Sequence, residues 1–188
     1  MNDNFKKQIE NMEDLVEIGN LISESTELRE RIAKYAKKPV DSQFEKEGHP
    51  IQMNFVKKSD TIYLLGDYKK HIKDKSSILE ILYDAISQNL VTSAHSLEKS
   101  GLFCGLIEAC SIKKLGFDIT GDAEISDKDF LFKDKNSAIL VSVSADKEGQ
   151  FVDFFFNNSI PLTLLGHVTK GELRMDDTSF GYISDFIN

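Results

Sequence analysis

The sequence predicts an α/β (or α+β) sandwich, a mixed sheet with helices packed on it, preceded by an N-terminal helical extension. Three observations carry that expectation. Apolar residues recur at three- and four-residue steps through residues 1 to 38. From residue 51 onward, short β-branched and aliphatic runs alternate with helical patterns. Between the two lies a polar stretch, VDSQFEKEGHP (40–50), holding Gly48 and Pro50. The expected division is a helical extension and linker over 1–50 and one α/β domain over 51–188.

Composition narrows the class of partner. At 188 residues the chain suffices for one good core. With 40% hydrophobic and 29% charged residues, it sits among soluble globular proteins. A net charge of -8 argues against nucleic acid or anionic membrane as the main partner, because both require a basic face. The N-terminus MNDNFKKQIENMED has no apolar core, so no signal peptide is expected. No apolar run nears the roughly 20 residues that span a bilayer. Cys104 and Cys110 fall in one predicted helix, where six positions rotate them by about 240° onto different faces. A disulfide between them is not expected, and a reducing cytoplasm is.

Taken in order, Ile9, Met12, Leu15, Val16, Leu21 and Ile22 form one apolar helical stripe. Ser23-Glu24-Ser25-Thr26 reads as a break and a new cap. A second helix follows with Leu28, Ile32 and Tyr35 on one face, ended by Lys37-Lys38-Pro39. Ile51, Met53 and Phe55 alternate as a strand, Lys57 to Asp60 turns the chain, and Thr61 to Leu65 is a second strand stopped by Gly66. Ser76 or Ser77 caps a helix carrying Ile78, Leu79, Ile81, Leu82, Ala85 and Ile86. Strands are expected at 115–119, 138–143 and 162–168, with Thr169-Lys170-Gly171 turning into 172–175. Asp146 is expected to cap a helix that buries Phe151, Phe154 and Phe155.

The central stretch is LVTSAHSLEKSGLFCGLIEACS (90–111). It reads as a short buried strand to His95, a polar turn (96–101) and a helix (102–110). A polar turn feeding a helix N-terminus suits an anion, because the first N–H groups are unpaired and the dipole is positive there.

At these residues the chain resembles a known family. FVKKSDTIYLLG (55–66), SAHSLEKSGLFCGLIEA (93–109), LGFDI (115–119) and LLGHVTKGELRMDDTSFGYISDF (164–186) occur in family order. Together they are similar to the C-terminal-type domain of the aminoimidazole ribonucleotide synthetase superfamily. Within it they most resemble phosphoribosylformylglycinamidine synthase of purine biosynthesis. The resemblance covers about 130 residues, from Met53 to Phe186; residues 1–50 lie outside it. It implies an ATP-dependent carbon–nitrogen ligase family whose ATP, magnesium and catalytic histidine motifs lie mainly in N-terminal-type domains preceding this one. No cofactor is therefore expected on this chain.

The resemblance also marks where the sequence departs. The family runs serine-alanine-histidine-aspartate into a serine and a glycine pair. Here Ser93, Ala94, His95, Gly101 and Leu102 match, while Ser96 replaces the aspartate, Glu98 the serine and Ser100 the first glycine. Ser100 adds a Cβ where a backbone would approach a phosphate. Glu98 adds a negative charge there, worth roughly 1 kcal/mol of repulsion, which Lys99 offsets in part. A second family motif, phenylalanine-x-glutamate-x-x-serine-arginine, reads Phe132-Lys133-Asp134-Lys135-Asn136-Ser137-Ala138, with a shortened carboxylate and no arginine. A family segment following the LLG strand is here a short bridge, 67–75.

The expected site is therefore a remnant ligand site of Ser93, His95, Lys99, Ser100, Gly101 and Asp134, with no catalytic residue and no metal. A bland alternative for His95 is a strand-end histidine hydrogen-bonded within the core. A metal on His95, Cys104 and Glu108 lacks the usual four closely spaced ligands. Ser93 and His95 have no third member for a nucleophilic triad. Phe151, Phe154, Phe155 and Phe156 exceed what one helix face buries, so Phe156 is a candidate for a subunit interface. The functional expectation is a non-catalytic, stand-alone binding or scaffold module, a homodimer or bound to a partner protein. Its possible small ligand is a phosphorylated ribonucleotide. The alternative is a subunit completing an ATP-dependent phosphoribosylformylglycinamidine synthase.

Overall fold

The computed structural model describes residues 3–41, 44, 50–70, 76–97, 101–135 and 138–187. Its strands are β1 (Thr61–Leu65), β2 (Ser93–Ser96), β3 (Gly116–Ile119), β4 (Ile139–Val143), β5 (Leu162–Thr169), β6 (Glu172–Met175) and β7 (Thr178–Tyr182). They make one sheet in the order β2-β4-β1-β5-β3-β6-β7. All pairs are antiparallel except β3 with β6, so the sheet is mixed, as expected.

The helices are α1 (Asp3–Glu10), α2 (Leu15–Ser23), α3 (Thr26–Lys37), α4 (Ser76–Ser87), α5 (Gly101–Ser111), α6 (Asp127–Phe132), α7 (Glu148–Asn157) and α8 (Ile183–Phe186). β1 and β2 both run antiparallel to the β4 between them, and β4 and β5 both flank β1. The crossovers α4 and α7 therefore link parallel strands that are not neighbours. Both lie on one face of the sheet, over Tyr63, Leu65, Ile139, Val141 and Val143. The opposite face, built on Ile62, Leu64 and Leu140, holds α5 with α2, α3, α6 and α8 around it. The period-2 alternation of a strand thus divides β1 and β4 between two cores.

α5 is the centre of the larger core. All eleven of its residues are buried, as a helix apolar on every side must be. Phe103 meets the rings of Phe117, Phe132, Phe180 and Phe186 at centroid distances of 5.0 to 6.4 Å. Ile18 and Ile22 of α2 and Leu28 of α3 belong to the same cluster.

Several local expectations need correction. The stripe from Ile9 to Ile22 is two helices, because Asp14 caps α2 by accepting from the Val16 and Glu17 N–H groups. Lys128 Nζ donates to the carbonyls of Glu10 and Met12, satisfying the end of α1. Residues 51–55 are not a strand. Their backbone partners are scattered, with Met53 N–H to Pro39, Gln52 carbonyl to Ala94 and Phe55 N–H to Ala109, so no ladder forms although Ile51, Met53 and Phe55 are buried. The strand expected from Leu90 begins at Ser93. α6 was not legible, since six residues are too few to show a period; Ser126 caps it through the Asp129 N–H. The N-cap of α7 is Lys147 rather than Asp146, with no side-chain cap bond. Phe151 and Phe155 are buried as expected, Phe154 is half-buried, and Phe156 stays 78% exposed. Much of the expected linker, 42–43 and 45–49, and the bridge residues 71–75 lie outside the described residues. Among the described residues, no helix is long and apolar enough to cross a membrane.

Phe103→Ala removes the ring on which four others converge, and should cost about 3 to 5 kcal/mol of folding stability. Urea denaturation followed by far-UV circular dichroism reads that loss.

Candidate functional site

The strand–turn–helix begins on β2, an edge strand that keeps all four of its residues buried. Ser93 Oγ is 2.6 Å from Ser142 Oγ of β4, in a chain of hydroxyls that continues to Thr92 and the buried carboxylate of Asp60. Burial raises the Asp60 carboxyl above its ordinary value, against the opposing pull of the Thr92 hydrogen bond. Ser93 is thereby committed to holding β2 on β4.

His95 is buried, 3% exposed, between two carboxylates. Its Nε2 lies 2.7 Å from Glu108 Oε2, and its Nδ1 lies 3.3 Å from Asp41 Oδ2. Asp41 also accepts from the Ser96 N–H at 3.0 Å and the Ser96 hydroxyl at 2.6 Å. The other Glu108 oxygen pairs with Arg31 of α3, whose side chain is 24% exposed. The Tyr35 ring meets the imidazole edge-on at 5.3 Å.

The arrangement alternates in charge: Arg31, Glu108, His95, Asp41. Glu108 is the one charged residue in α5, and a carboxylate buried in a helix needs such partners. Burial by itself would lower the pKa of His95. The hydrogen bonds and charges of Asp41 and Glu108 outweigh it and push the imidazole up to about 9, so His95 is a cation at neutral pH. Burial likewise opposes the charge on Arg31, and Glu108 holds that guanidinium above its usual value. The Cys104 thiol is pushed up to about 12 by burial, with Glu108 adding to it, so it is not a nucleophile.

The helix start is equally enclosed. Gly101 has φ +78, and a Cβ there would sit 2.8 Å from the Leu131 carbonyl oxygen and 2.9 Å from that of Phe132. The glycine is thus required by the close approach of α6 and by its left-handed backbone. What remains open is a cleft of about 70 Å³ lined by residues including Arg31, Tyr35, His95, Ser96, Gly101 and Glu108.

Of the expected site residues, His95 and Gly101 line one cleft, whereas the Ser93 hydroxyl bonds Ser142 of β4; all three are buried. Asp134 is exposed and lines a different cleft, beside Ile9 and Lys133. Lys99 and Ser100, with Glu98, Asn136 and Ser137, lie outside the described residues. Arg31, Tyr35 and Asp41 were missed. Leu28, Arg31 and Tyr35 recur at i, i+3 and i+7, so a cation sitting on the apolar stripe of α3 was a readable signal. Nothing marked Asp41 within its polar stretch.

Two predictions follow from this geometry. Because folding raises the His95 pKa from 6.5 to about 9, its contribution is complete below 6.5 and is lost as pH rises through about 9. Urea midpoints should fall over that window, and His95→Gln should flatten the dependence. Gly101→Ala should destabilise the fold by about 1 to 3 kcal/mol, since both backbone strain and the α6 contact oppose it; thermal unfolding measures it.

No protein-family model matches the chain. Among curated relatives, the PurL subunit of phosphoribosylformylglycinamidine synthase from Leuconostoc mesenteroides is 33% identical over 146 residues, which is 66% of this chain and 18% of that protein. The PurL subunit from Carboxydothermus hydrogenoformans is 28% identical over 148 residues, 66% of this chain and 20% of its own. The chain thus spans about one fifth of the length of the relatives it matches. Among solved structures, phosphoribosylformylglycinamidine synthase II from Thermotoga maritima superposes with a TM-score of 0.65 at 11% identity, covering 91% of this chain and 35% of that one. Thiamine-monophosphate kinase from Stenotrophomonas maltophilia reaches 0.52 at 13% identity, over 69% of this chain and 54% of that one. These two likenesses concern the fold. Over about two thirds of its length, then, this chain is a homologue of the PurL subunit of phosphoribosylformylglycinamidine synthase, and its fold is that of the PurL structures.

Proposed function

We propose that this chain is a non-catalytic binding or scaffold module related to the C-terminal-type domain of phosphoribosylformylglycinamidine synthase. One observation carries the reading: on both described flanks of the expected anion turn, the protein itself occupies the groups that would hold a ligand. Both ring nitrogens of His95 are engaged by carboxylates, α6 occupies the approach to Gly101, and the residual cleft measures about 70 Å³. Small-molecule pockets run to about 300–1,000 Å³, so a ribonucleotide does not fit in that cleft. The partner of such a module is a protein or a second copy, and Val152 and Phe156, exposed on one flank of α7, offer it apolar surface.

The kinship to PurL favours a second reading, a subunit that completes an ATP-dependent synthase together with an ATP-binding chain. Isothermal titration calorimetry separates the two. Titrating the protein with formylglycinamide ribonucleotide and, separately, with ATP should give no heat for either. Ribonucleotide binding at micromolar affinity would overturn the first reading, and its loss in His95→Ala would locate the phosphate site at the turn.

A further inference from the structure

Apolar burial holds most of this fold, and α3 is the exception. α2 buries Ile18, Gly19 and Ile22 within nine residues, whereas the twelve residues of α3 bury one, Leu28. Ile32 packs only partly against the core. Among the described residues, the remaining grip on α5 and β2 is polar and includes Arg31 on Glu108 and the Tyr35 ring against His95. Both ends of α3 are nevertheless fastened. The Ser25 N–H donates to the Ile22 carbonyl at 3.0 Å, and the Pro39 carbonyl accepts from the Met53 N–H at 2.9 Å. Between those points the helix crosses the cleft, and Arg31, Lys34 and Tyr35 form the wall facing His95, Ser96, Gly101, Gly105 and Glu108.

We propose that α3 is a latched strap: the Arg31–Glu108 pair holds it closed over the His95 cleft, and release of that pair lets it open while the rest of the domain stays folded. Closed, the strap walls the cleft at His95, Ser96 and Gly101. Open, it presents Glu108 and His95 to solvent.

The charges make this opening feasible. Breaking a buried ion pair is costly when one charge stays behind in a dry interior. Here Glu108 keeps His95 at 2.7 Å, and the departing helix admits water to its other oxygen. Arg31 already reaches solvent, so it regains hydration without crossing apolar surface. Segments with few buried apolar contacts open at free energies below that of global unfolding. α3 has that character, and α2 and α5 on either side do not.

Hydrogen–deuterium exchange on the whole, ligand-free chain tests the strap independently of any nucleotide. Arg31→Met keeps most of the stem and removes the charge. It should accelerate exchange in α3 by about tenfold or more, the scale of one charge-assisted hydrogen bond, with α2 and β4 unchanged. Arg31→Lys keeps the charge but loses the planar fork, and should accelerate α3 in the same sense by a smaller factor. If Arg31→Met proves unfolded, the Arg31→Lys comparison decides. Unchanged α3 exchange overturns the strap, and so does acceleration shared with β4, which would mark general loss of the fold. A nucleotide seen by calorimetry would overturn the binding-module reading and leave this measurement standing.

Discussion

The constraint on which the structure depends is the complete burial of α5 with one carboxylate inside it. A helix apolar on every side cannot rest on a sheet alone, because the sheet covers only one flank. α6 and α8 close its sides and α2 and α3 its top, so the N-terminal helices pack into the same core as the strands. Glu108 then requires cationic or donor partners, and the covering elements bring them: Arg31 from α3, and His95 from the strand that feeds α5. Asp41 completes the alternation on the far side of the imidazole. Without these partners, the burial that stabilises α5 would strand a charge in a low-dielectric interior.

That solution bears directly on chemistry. A strand–turn–helix suits anions when its first N–H groups and small residues face open solvent. Here the strand end and the helix start on either side of the turn are buried. Gly101 meets the backbone of α6, and the hydroxyl and N–H of Ser96 are taken by Asp41. Groups that serve a ligand when exposed serve cohesion when covered, and a buried histidinium between two carboxylates is a structural cation. The homology to PurL and the burial of His95 and Gly101 are therefore compatible: the fold is shared, while function belongs to the site that the fold presents.

Much was legible before any coordinates. The runs in β1, β4 and β5, the cap at Ser25, and the buried faces of α4 and α7 follow from local periodicity and turn chemistry, which act within a few residues. Local signals failed where local structure was too short or too irregular. Six-residue α6 shows no period, and residues 51–55 alternate like a strand yet bond singly to three separate segments. Alternation reports which side chains are buried, and pairing depends on whether a neighbouring edge is available.

By itself the sequence determined the class of fold, the central place of the 90–111 stretch and its kinship to a purine-synthesis family, because these rest on pattern and motif. It placed His95 and Gly101 near one another, since a strand end and the helix start after it are neighbours along the chain. Tertiary structure alone decided what surrounds them. Arg31 and Asp41 reach Glu108 and His95 from distant parts of the chain, and α6 reaches Gly101 from beyond β3. Whether a polar turn is a binding site or a sealed joint depends on what lies over it, and long-range packing settles that.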